Sequence, residues 1–165
     1  MTASAALPSI TALIPHRAKM VLLDRVLSVQ QDTLCAEVVI TPEVLFFDGQ
    51  NNEVGAWVGM EYMAQAIAAL EGYSALQRGE PVQVGFLLGT RRYESHCSGF
   101  AAGSVLHVEV HRVLEHDNGL GAFECRIADP ACNRILATAT VTVFKPDNVQ
   151  QFLKKATDSK AERHE

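Results

Sequence analysis

The sequence predicts an α+β fold in which a curved antiparallel sheet wraps around one long central helix. Three observations predict it. Residues 54–70 are apolar nearly all the way round, the pattern of a helix buried on most sides. The segments on either side alternate apolar and polar residues with period two, as strands with one buried face do. Turn-forming pairs separate those segments at short intervals, which antiparallel neighbours require.

In chain order, residues 1–12 read as a lead-in. "MVLLDRVLSVQ" (20–30) and "TLCAEVVIT" (33–41) flank the turn-like pair Gln31-Asp32 and predict a hairpin. The helix follows in "GAWVGMEYMAQAIAAL" (55–70), where Trp57, Val58, Met60, Met63, Ile67 and Leu70 supply bulk and small residues let a sheet approach. Four strand-like segments come next: 82–97, 104–115, 121–129 and 134–144. In "VLHVEVH", Leu106, Val108 and Val110 alternate with His107, Glu109 and His111; in the last segment Ile135, Ala137, Ala139, Val141 and Val143 share one face. "HDNGLG" and "DPACN" supply the turns between them. The order of two strands, one helix and about four antiparallel strands is that of a hotdog fold, expected over 13–146. The polar residues 147–165 read as a tail, a frayed or weakly docked helix.

At 165 residues the chain suits one domain. A net charge of −5 argues against a protein whose main task is to grip nucleic acid or an anionic membrane. The four cysteines form no CxxC pair and no Cys/His cluster at zinc spacing, so free thiols in a cytoplasmic protein, without a metal or cofactor, are expected. No apolar run reaches the length of a membrane span.

Within the apolar helix stand a carboxylate, Glu61, and a carboxamide, Gln65. Four residues apart, they share one face. A carboxylate taken out of water is paired, protonated or kept for chemistry. A structural pairing with Arg17, Arg25 or Arg91 is one expectation; a general acid held in an apolar tunnel, where its pKa would be raised, is the other.

A resemblance bears on that choice. "LIPHRAKMVLLDRV" (13–26) resembles the opening of bacterial 3-hydroxyacyl-acyl-carrier-protein dehydratases, "FFDGQ" (46–50) resembles their FF-x-G-H, and "VGMEYMAQA" (58–66) resembles their helix segment with a carboxylate followed by AMAQ. "AWVGMEYMAQAIAA" and "GFLLGTRRY" bring the chain nearest to the dehydratase-like hotdog proteins of bacterial aryl-polyene clusters. The resemblance implies loss of water from a 3-hydroxyacyl thioester carried on the phosphopantetheine arm of an acyl carrier protein. In those enzymes a His removes the α-proton, and a helix carboxylate supplied by the other subunit handles the departing hydroxyl. Glu61 falls on the carboxylate position and Gln65 on the family's Gln. Ala56 falls where a backbone N–H anchors the thioester carbonyl, next to Trp57.

The chain departs from the pattern where the family places its His: Gln50 stands there, and an amide is no general base. His16, in "PHR", is the substitute expected, against a purely structural role. His96 is weaker, His107 and His111 suit a wet strand face, and His116 and His164 lie in a turn and the tail. Glu53 is expected to favour the helix's positive end. Arg91 and Arg92 would face an acidic carrier protein, or be solvated charges. The expected function is therefore a dehydratase acting as a dimer or with a hotdog paralogue. The alternatives are a catalytically degenerate partner subunit and an acyl thioesterase.

Overall fold

The computed structural model describes residues 6–82, 85–146, 154, 155, 157 and 158, with the side chains of Phe86 and Arg91 left out. The expected tail, 147–165, falls almost wholly outside them, as does His164. Among the described residues no helix is long and apolar enough to cross a membrane.

The expected hairpin is present as β1 (Arg25–Val29) and β2 (Thr33–Val39), with the Gln30 N–H bonded to the Thr33 carbonyl across the turn. The later segments form β5 (Phe86–Ser95), β7 (Val105–Glu115), β8 (Leu120–Asp129) and β9 (Arg134–Phe144). These build one antiparallel six-stranded sheet in the order β1-β2-β7-β8-β9-β5. Three short strands that the sequence did not announce, β3 (Phe47–Asp48), β4 (Glu53–Gly55) and β6 (Gly99–Ala101), form a second sheet in the order β3-β4-β6.

The long helix α2 spans Gly59–Gln77, after a one-turn 3₁₀ segment over Ala56–Val58. It starts later than expected, because residues 53–55 are drawn into β4 by pairing with β6, and it runs on past residue 70 to Gln77. Its inner face lies against β2, β7, β8 and β9, so the sheet curls around it. The core is the contact between Tyr62, Met63, Ala66, Ile67 and Leu70 on the helix and the inward residues of the sheet, such as Leu34, Ala36, Leu106, Val108, Phe123 and Ile127. This is the hotdog arrangement. Burying a side chain of this kind contributes about 1.5–3 kcal/mol.

Strand faces follow the period-two expectation with one correction. Leu106, Val108 and Val110 are buried as expected, and so are Ala137, Ala139 and Val141. Ile135, expected on that inner face, is exposed, and Leu136 is buried instead. The pairing slips between Ile127 and Ala128, opposite Leu136, and one extra residue on a strand flips the faces beyond it.

A short helix, α1 (Ile10–Leu13), sits against α2. Ile10 and Leu13 are buried, and the Leu13 carbonyl lies directly on Gly72, where any Cβ would collide with it. That close approach fixes where the chain leaves α1, and His16 follows three residues later.

Candidate active site

Gln65 is fully buried and its amide is used completely. Its Oε1 accepts the Leu22 N–H at 2.9 Å, and its Nε2 donates to the Met20 carbonyl at 2.6 Å and to Glu61 Oε1 at 3.1 Å. An amide carries a carbonyl acceptor and an NH₂ with two donors, so one side chain can accept from one backbone group while donating to another and to the carboxylate. Gln65 thus pins segment 20–22 to α2 and holds the carboxylate one turn away.

The turn after α1 is tied down as well. Arg17 Nη1 donates to the carbonyls of Ile14 and His16, each at 2.7 Å, so this arginine is not the partner of Glu61. Arg25 is engaged with Glu37. The partner is His16, whose Nε2 lies 3.4 Å from Glu61 Oε1. His16 Nδ1 is buried with no hydrogen-bond partner among the described residues. Of the structural pairings expected for Glu61, neither Arg17 nor Arg25 forms; the arrangement is a carboxylate–imidazole–carboxamide cluster.

The environment is less dry than expected. Within the protomer the Glu61 side chain is 38% exposed and that of His16 27%. Glu61 sits on the wall of an open cavity of about 500 Å³, not inside a closed tunnel. The reason is position: Glu61, Ala64, Ala68 and Glu71 recur at three- and four-residue steps, so one face of α2 lines the cavity while the opposite face holds the core.

The remaining expected residues lie elsewhere. Ala56 is buried, but its N–H donates to the Ser98 carbonyl at 3.1 Å, so the anchoring role requires that bond to give way. The Tyr93 hydroxyl, kept protonated by burial that pushes its pKa up to about 12, donates to the Ala56 carbonyl. Trp57, expected within the buried helix, is 66% exposed, because the 3₁₀ turn aims its indole outward, edge-on to Phe46 at 5.4 Å. Gln50 is exposed on a turn whose N–H groups are capped by Asp48. Arg92 is exposed at a bulge in β5, with φ of 59°, and faces the outer side of the sheet; Arg91 pairs through its backbone with Thr140. His96 and His111 are exposed, His107 is half-buried, and His116 reaches the rim of the Glu61 cavity. Glu53 lies in β4 and accepts from Ser98 Oγ rather than serving the helix start.

Sequence reading missed the far end of the cavity. Glu71, Arg112 and Lys145 meet there: Arg112 Nη2 to Glu71 Oε1 is 2.6 Å and Lys145 Nζ to Glu71 Oε2 is 3.2 Å. Burial works to lower the Arg112 pKa, and Glu71, Glu115 and Asp32 together more than reverse it. The Glu61-to-Glu71 spacing along one helix face was the available signal.

Fold and site together define a hotdog protein whose central helix presents a carboxylate, beside a histidine, to a cavity large enough for a small-molecule chain. The chain belongs to the ApeP-like family, described as ApeP dehydratase, which matches residues 8–154. It is similar to a solved structure, the dehydratase heterocomplex ApeI:P from Xenorhabdus doucetiae, at 27% identity over 92% of this chain and 99% of that one, with a TM-score of 0.83. Two further structures share the fold. One is the PaaI protein of the E. coli phenylacetic acid degradation operon (12% identity, 72% and 80% of the two chains, TM-score 0.54). The other is a hypothetical thioesterase with coenzyme A from Streptococcus pneumoniae (13%, 73% and 84%, TM-score 0.56). No curated protein matches.

Proposed function

We propose that this chain removes water from 3-hydroxyacyl thioesters carried on an acyl carrier protein, in the synthesis of an aryl polyene. The observation that supports it above others is the His16–Glu61 pair on the cavity wall, with Gln65 holding the carboxylate. His16 takes the α-proton of the 3-hydroxyacyl group. Protonated Glu61 gives its proton to the departing hydroxyl, which leaves as water, and the C–O bond electrons go with it. The α-carbon's electron pair forms the double bond of the enoyl thioester. His16 then holds the proton taken from the α-carbon, and the 3.4 Å contact is short enough to pass it to the Glu61 carboxylate, which resets the site.

The test is formation of enoyl thioester from a 3-hydroxyacyl-acyl-carrier-protein, followed by mass. Glu61→Gln removes the acid and should lower turnover by at least about 100-fold. Equal turnover of wild type and variant would remove Glu61 from the chemistry.

A second reading is favoured by one observation: Gln50, at the family's histidine position, is exposed and cannot act as a base. On this reading the chain works as the partner of an active hotdog paralogue. Pure protein would then be inert and would restore turnover only in a co-purified heteromer.

A further inference from the structure

The first turn of α2 carries Glu61, and that turn has no side-chain cap: neither Gly55, ahead of the 3₁₀ segment, nor Val58, ahead of the helix, supplies one. Uncapped helix starts fray, because their first N–H groups lack partners within the helix. Here the start is gripped from outside, on both sides of one residue. The Ala56 N–H donates to the Ser98 carbonyl at 3.1 Å. The Ala56 carbonyl accepts the Tyr93 hydroxyl as well as the Gly59 N–H that closes the 3₁₀ turn.

Tyr93 is aimed at that carbonyl by an irregularity in β5. Arg91 pairs with Thr140 and Glu94 with Thr138, so Arg92 and Tyr93 together stand opposite the single residue Ala139. Thr90 faces the helix, its hydroxyl 3.5 Å from Met60 Sδ, and strict alternation would turn Arg92 inward after it. The extra residue turns Tyr93 inward instead and leaves Arg92 exposed, at φ of 59°. A non-glycine residue in this left-handed region is strained, and such strain persists where the surroundings enforce it. Space on the helix side is cleared to match: a Cβ at Gly59 would strike the Tyr93 hydroxyl. A strained bulge, a glycine and a shared carbonyl acceptor thus converge on one hydroxyl, whose ring is half-buried against the core.

We propose that Tyr93 is a positioning residue for Glu61: its hydroxyl, holding the Ala56 carbonyl, fixes the uncapped first turn of α2 and keeps the carboxylate beside His16. What Glu61 does there rests on the dehydratase reading. Ala56 stands five residues, or roughly 7.5 Å along the helix axis, before Glu61, so Tyr93 acts through the backbone and touches no reacting group. Gln65 restrains the carboxylate from the turn beyond, and Tyr93 restrains the backbone from the turn before. Loss of either lets the 3.4 Å contact with His16 lengthen. A misplacement of about 1 Å at a reacting group is enough to cost about 100-fold in rate.

The experiment reads geometry and rate separately. The ring signal of His16, identified by its loss in His16→Asn, is followed by NMR in the whole chain at one pH. Glu61→Gln, which removes the carboxylate beside the ring, defines the displaced position of the signal. Tyr93→Phe, which removes one oxygen, should move the signal toward that position. Ser74→Ala, which breaks a hydroxyl-to-carbonyl bond near the far end of α2, should not. On a 3-hydroxyacyl thioester, Tyr93→Phe should lower kcat at least about tenfold with KM little changed. Replacing Tyr93 by 4-aminophenylalanine, which keeps a donor at that point, should restore most of the rate and the signal position. An unmoved signal in Tyr93→Phe, an equal move in Ser74→Ala, or a kcat equal to that of the wild type overturns the proposal. Failure of the dehydratase reading shows separately, as absence of enoyl product from the wild type, and the NMR comparison then decides alone.

Discussion

Gln65 joins the fold to the chemistry through three hydrogen bonds from one buried amide. Replacing it by Leu keeps the volume and leaves the part-buried Leu22 N–H and Met20 carbonyl without these partners. Each such orphan costs about 1–3 kcal/mol. Gln65→Leu should therefore lower unfolding free energy by about 2–4 kcal/mol, read as an earlier urea midpoint. It should also release Glu61 and so reduce turnover in the fraction that stays folded. A midpoint equal to that of the wild type would show that water satisfies those groups.

At the scale of elements, the seam between α1 and α2 sets where His16 stands. A glycine within a helix is ordinarily improved by alanine, by about 1 kcal/mol. Gly72 reverses the sign, because its Cα rests on the Leu13 carbonyl. Gly72→Ala must push α1 away, at about 1–3 kcal/mol for an overpacked contact. Thermal unfolding should occur at a lower temperature, and turnover should fall further than stability alone explains, since His16 moves with α1. Period-two patterning made β1, β2, β7 and most of β9 legible from the residues, because side-chain alternation records burial directly. It could not reveal β3, β4 and β6, which are two or three residues long and carry no period. It misplaced Ile135 because a bulge is a pairing event with the neighbouring strand. Within the site, Glu61 and Gln65 stood out as polar groups in an apolar helix, and His16 through a motif. The Lys145 end was invisible, since it depends on a lysine beyond β9 meeting a helix 74 residues earlier.

Across the whole molecule, burial of ionisable groups sets the alkaline limit. Burial pushes the Cys125 thiol from 9.0 up to about 12 and Cys35 to about 11, and pushes Tyr93 from 10.0 to about 12. Raised folded-state values mean that the unfolded chain releases these protons first. The stability they contribute is complete below about pH 9 and is lost as pH climbs through 11 and 12. The urea midpoint should fall steadily from pH 8 to pH 11, and Cys125→Val should flatten part of that fall. The sheet's two edges also differ. β1 presents Arg25 in an ion pair with Glu37, a charged edge of the kind that discourages further pairing. β5 presents Leu87 and Leu88, 49% and 54% exposed, on an edge that pairs with no further strand among the described residues. An apolar open edge of this kind recruits a second sheet, so β5 is where a hotdog partner should pair and extend the strands into one continuous surface. Leu88→Lys should shift the sedimenting species from dimer to monomer, while Leu76→Lys, at an exposed leucine near the end of α2, should leave it unchanged. A dimer that survives the β5 charge and yields to the one on α2 would place the interface on the helix side instead.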